Sequence, residues 1–123
     1  MTINEFQREC MQTANEMNTK CPITIIINGV TVDALMVNGL IGLNGEAGEA
    51  IDILKKHLFH GHELDREHLA KELGDVAWYL AVTAKAIGYD LETIFQMNID
   101  KLKARYPDGF STEKSLHRAE GDV

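Results

Sequence analysis

The sequence predicts an all-α fold of four main helices, with a small β-hairpin inserted between the first two. Two observations carry this. Apolar residues recur at steps of three and four along four stretches, the period of an amphipathic helix. Between the first and second stretch lies a β-branched run broken by Asn28-Gly29, the strongest short hairpin signal, because both residues accept the positive φ of a type I′ turn. The bulk numbers agree. A chain of 123 residues, 45% apolar and 25% charged, suits one domain with a packed core rather than a disordered segment.

The first helix is expected over residues 3–18, with Phe6, Cys10, Ala14 and Met17 as its stripe and Thr2 or Asn4 as its cap. The hairpin is expected at about 22–32, Ile23 to Ile27 pairing with Val30 to Val32. An isolated hairpin is only marginally stable, so it must lie on the helices or on a neighbouring subunit. Asp33 caps a long second helix reaching about Phe59, with Met36, Leu40, Leu43, Ala47, Ala50, Leu54 and Leu58 on its stripe and Gly61 as its stop. Gly42, Gly45 and Gly48 recur in mid-helix, where each Gly costs roughly 1 kcal/mol relative to Ala, which implies close approach by a helix or a ligand. The third helix starts at Asp65 or the residue before it and runs to about Ile87, on Leu69, Leu73, Val76, Leu80, Thr83 and Ile87. The fourth starts at Asp90 and ends at Tyr106-Pro107-Asp108-Gly109. Residues 1–110 read as the folded domain and 111–123 as a polar C-terminal tail, mobile or ordered on a neighbour.

Charge narrows the function. A net charge of −7 argues against a general nucleic-acid binder, which needs a basic face. Two cysteines suggest neither a disulfide framework nor a zinc cluster, and the absence of a long apolar run points to a cytoplasmic protein with no membrane partner.

The chemistry concentrates in Gly45-Glu46-Ala47-Gly48-Glu49 and Glu72-Leu73-Gly74-Asp75. Each motif sets two acids three residues apart, a spacing that puts both on one helix face. Two such helices side by side crowd four carboxylates together, and that repulsion is relieved by cations. The set fits Mg²⁺, which takes oxygen ligands and shares its shell with phosphates. The competing reading is a pair of ordinary solvated acidic faces. Asp65-x-x-His68 faintly echoes a di-iron helix motif, but that class repeats Glu-x-x-His on two helices and the second copy is missing.

Gly45-Glu46-Ala47-Gly48-Glu49-Ala50, Leu54-Lys55-Lys56, Lys71-Glu72-Leu73-Gly74-Asp75-Val76, Trp78-Tyr79-Leu80 and the run from Asn98 to Phe110 together resemble the MazG-like nucleotide pyrophosphohydrolases of the all-α NTP pyrophosphatase superfamily. The resemblance covers residues 34–110; the segment from Cys21 to Val32 departs from the compact link it leads one to expect. It implies a MazG-like four-helix bundle and Mg²⁺, with Mn²⁺ as a substitute, on Glu46, Glu49, Glu72 and Asp75. It also implies hydrolysis of an NTP or dNTP to the monophosphate and pyrophosphate, for nucleotide-pool control. A homo-oligomer follows as well, either a tetramer built as a dimer of dimers or a dimer, with Lys or Arg groups crossing between subunits. Glu49 is the candidate for bridging metals or orienting the attacking water. Lys56, Lys101 and Arg105 are candidates for phosphate oxygens, though each also suits a surface ion pair. Asn98 suits sugar or phosphate, and Tyr79 suits a phosphate or a core position with its hydroxyl satisfied. Trp78 and Phe59 are possible base-stacking groups, Trp78 fitting an oligomer interface better. A non-catalytic helical interaction module is the alternative function, and a di-iron carboxylate bundle a weaker one.

Overall fold

The structure, a computed structural model, describes residues 1–14 and 24–122. Among these the elements are α1 (Ile3–Thr13), β1 (Thr24–Ile27), β2 (Val30–Asp33), α2 (Ala34–His60), α3 (Arg66–Ala86), α4 (Leu91–Arg105) and α5 (Thr112–Leu116). The fold is the all-α one expected, with the hairpin ahead of the second helix. The chain divides into two compact units, Met1–Leu91 and Glu92–Val123. Among the described residues no helix is long and apolar enough to cross a membrane.

Local chemistry sets the element ends. Thr2 caps α1 in a reciprocal box: Glu5 N–H donates to Thr2 Oγ1 at 3.2 Å, and Thr2 N–H donates to the Glu5 carboxylate at 2.6 Å. Residues 15–18 of the expected first helix, and the start of the expected hairpin, lie outside the described residues. The hairpin is antiparallel, with Ile27 opposite Val30 and Thr24 opposite Asp33. Its turn holds Asn28 at φ 52° and Gly29 at φ 78°, the left-handed pair that the Asn-Gly reading requires. Asp33 caps α2 by accepting from Met36 N–H at 2.9 Å, and Gly61 closes that helix in the left-handed region. Asp65 caps α3 in the same way through His68 N–H.

Within the first unit, α2 and α3 make the most extensive pairing, and α1 packs on α3. The core is Cys10 and Ala14 of α1, Ala34 and Leu35 of α2, Ala81, Val82 and Ala84 of α3, and Leu91. Gly39 and Gly42 let the two long helices close: a Cβ on Gly39 would overlap the Thr83 hydroxyl, and one on Gly42 the Tyr79 ring. Gly45 and Gly48 face open space instead, so the expected close approach stops one turn short of the acid motif. Gln7 is a buried polar anchor. Its amide donates to Ala81 O at 3.1 Å and Tyr89 O at 3.2 Å, and its oxygen accepts from Leu91 N–H at 3.0 Å. It thereby meets the first amide of α4, a helix start that the sequence assigns to Asp90.

Two expectations are corrected by burial. The α2 stripe is exposed at Leu40, Ala47, Leu54 and Leu58, and so is Leu73 on α3. The buried run on α3 instead ends the helix, from Ala81 to Ala84, where α1 covers it. The Trp78 indole N–H donates to Thr13 Oγ1 at 2.8 Å, which ties α3 to α1.

In the second unit, the segment expected as a polar tail carries α5, capped by Ser111. Arg105 Nε–H donates to Asp122 at 2.6 Å, and a second guanidinium N–H completes a fork on the same carboxylate. Tyr106 stacks at a tilt on Phe110, with ring centroids 5.3 Å apart.

Candidate metal centre

Glu46 stands on α2, Glu72 and Asp75 on α3, and the pairing of these helices brings them together. One carboxylate oxygen from each lies within 4.8 Å of the others. Glu72 is 8% exposed, Glu46 is half-buried and Asp75 opens to solvent. The crowding has an electrostatic signature. Desolvation pushes the Glu46 carboxyl above its ordinary range, helped by the negative charges of Glu49, Asp75 and Glu72 and by a hydrogen bond shared with Glu72. An oxygen-only donor set with one buried member and an open side fits a hard divalent cation.

Glu49 is exposed and stands outside the three gathered carboxylates, although its charge reaches Glu46. Glu72 and Asp75 have the same three-residue spacing and do meet in the cluster, so spacing alone does not decide which acids converge. His68, four residues before Glu72, places Nε2 at 2.8 Å from Glu72 Oε1. Sequence reading weighed His68 only as an iron ligand; its i, i+4 spacing to Glu72 was the available signal for a carboxylate partner.

The remaining candidates divide between the units. Lys56 Nζ lies 2.6 Å from Asp52 and shares that carboxylate with Lys55, the surface pairing that competed with its phosphate role. A cavity of about 460 Å³ is lined by Lys56, Ile53, His62, Glu63, Asp65 and His68. The Tyr79 ring fills the space beside Gly42 and meets Trp78 edge-on, with centroids 4.9 Å apart. In the second unit Asn98 and Lys101 are exposed on α4, and Lys101 and Arg105 line a cavity of about 490 Å³ with Lys114, His117 and Asp122.

An all-α frame that gathers three acids from two paired helices defines a class of helical protein with a carboxylate cluster between neighbouring helices. Residues 38–110, more than half of the chain, match the MazG nucleotide pyrophosphohydrolase domain, and the chain belongs to that family. It is 40% identical over 73 residues to the Gene 37 protein of Mycobacterium phage L5, a match covering 56% of this chain and 64% of the phage protein. The chain therefore spans less than two thirds of that relative's length. No solved structure matches it.

Proposed function

We propose that this protein is a Mg²⁺-dependent nucleoside triphosphate pyrophosphohydrolase of the cytoplasm, converting an NTP or dNTP to the monophosphate and pyrophosphate in nucleotide-pool control. The observation that carries the reading is the gathering of Glu46, Glu72 and Asp75 within 4.8 Å inside a MazG domain. These residues would hold the divalent ion, Mg²⁺ or in its place Mn²⁺. A divalent ion so held supplies charge neutralisation on the phosphates and a more acidic bound water. Glu49, exposed beside the cluster, orients the water that attacks the α-phosphorus, or joins the ligands when cations relieve the repulsion. Lys56, Lys101 and Arg105 meet phosphate oxygens by exchanging Asp52 and Asp122 for substrate where those pairs exist. Asn98 addresses sugar or phosphate, and the hydroxyl of Tyr79 a phosphate.

The proposal includes a homo-oligomer, a dimer or a dimer of dimers. Its support is the apolar surface of the single chain: Ile26 is 69% exposed on the hairpin and Phe59 77% at the end of α2.

The test supplies purified protein with Mg²⁺ and a panel of NTPs and dNTPs, the products being separated by ion-exchange chromatography. Monophosphate and pyrophosphate are expected. Glu72→Gln and Glu49→Gln should each lower kcat/KM at least about a hundredfold while leaving the circular dichroism unchanged, a loss in the range of removing one electrostatic transition-state contact. Release of the diphosphate and inorganic phosphate would refute the assigned reaction.

A further inference from the structure

We infer that His68 is a positioning residue of the metal centre: its imidazole N–H holds the Glu72 carboxylate in the orientation that meets a divalent cation together with Glu46 and Asp75. The inference rests on the metal reading above and adds a residue that none of the acid motifs contains.

Glu72 is the buried member of the cluster, and its side chain faces two neighbours of opposite character. On one side is Glu46, which shares a hydrogen bond with it and repels it when both are ionised. On the other is His68, whose Nε2 lies 2.8 Å from Glu72 Oε1. A carboxylate held at one oxygen keeps its plane, so its second oxygen is directed as well. Without the histidine, repulsion from Glu46 is free to rotate the Glu72 side chain. Backbone geometry fixes His68 in turn. Its own N–H donates to the Asp65 cap at 2.9 Å, so it belongs to the first turn of α3, four residues ahead of Glu72. The imidazole does not need a charge for this role, since the tautomer protonated at Nε2 donates while neutral. Its side chain is 55% exposed and borders the cavity lined by Lys56 and His62, so little of the fold depends on it. Partners that orient a metal ligand typically govern affinity by 10- to 100-fold when removed.

The experiment titrates the full-length protein with Mn²⁺ at fixed pH, free ion being followed by electron paramagnetic resonance. Wild type, His68→Gln and His68→Leu are compared, and each is melted in chelator as a control for folding. Gln restores an N–H at nearly the same reach. His68→Leu is expected to bind Mn²⁺ about tenfold or more weakly, and His68→Gln within about threefold of wild type by the same measure. Should His68→Leu not fold, His68→Ser, too short to reach Glu72, is read by the same criteria. Wild-type affinity in the Leu or Ser variant, or equal losses in Gln and Leu, overturns the inference while leaving the metal site standing. No Mn²⁺ binding by the wild type removes both.

Discussion

Asp52 and Glu46 stand six residues apart on α2 and experience opposite fields. Glu46 is pushed up by desolvation and by three neighbouring acids, which is the state a cation relieves. Asp52 is held down at about 2 by hydrogen bonds from Lys55 and Lys56. The sign of its effect on stability follows. A carboxyl more acidic in the folded chain favours folding above the ordinary carboxylate range, and that contribution is lost as pH falls through about 2. A carboxylate-detected NMR titration should place the Asp52 midpoint near 2, and Lys56→Met should move it upward. A midpoint at the ordinary value of 3.8 in the wild type would show that the lysines do not hold this acid. At this scale the sequence was informative wherever a residue acts on its own helix. Thr2, Asp33 and Asp65 cap as their positions suggest, and Asn28-Gly29 turns as its dihedral preference dictates. Gln7 was illegible for the opposite reason, since all three of its partners lie more than seventy positions away in the chain.

The pairing of α2 with α3 is the element-level device that builds the site, and two glycines set its closeness. Gly39→Ala gains helix propensity of about 1 kcal/mol but drives a methyl into Thr83, whose hydroxyl is already bound to Tyr79 O at 2.7 Å. Overpacking of this kind costs about 1–3 kcal/mol, so the net change is expected to be destabilising or near zero. Gly45→Ala meets nothing within 4 Å and should stabilise by about 0.5–1 kcal/mol. Urea denaturation of the two variants reads the contrast, and an equal gain in both would mean that the helices are not in contact at Gly39. The sequence showed that small residues cluster on α2 but not which of them face α3, because Gly carries no side chain to reveal a face. Its acid spacing located the cluster, but the same spacing belongs to Glu46/Glu49 and to Glu72/Asp75, so it could not show that only the second pair enters whole. The short helix α5 escaped notice because five residues with a serine cap leave too little periodicity to read.

For the whole molecule, α2 carries apolar surface that a single chain leaves uncovered: Leu54 and Leu58 of its stripe, with Ile51 and Phe59 beside them, line an open cavity of about 470 Å³. Periodicity predicts which residues avoid water but not which chain covers them. If a second copy provides the cover, light scattering should report a dimer or tetramer, and Phe59→Glu should shift it to monomer while preserving helicity. A wild-type monomer at every concentration would contradict the assembly proposal. The proposed activity depends on Glu46, Glu72 and Asp75 converging for a cation. Thermal melting with and without Mg²⁺ tests it most directly. Saturation at a hundredfold excess over Kd is worth roughly 2.7 kcal/mol. Wild type should therefore melt several degrees higher in Mg²⁺, while Glu72→Gln, relieved of one charge, should melt no lower than wild type in chelator and gain nothing from the ion. A wild-type melting curve that Mg²⁺ leaves in place, or an equal gain in Glu72→Gln, would contradict a cation-binding role for these acids.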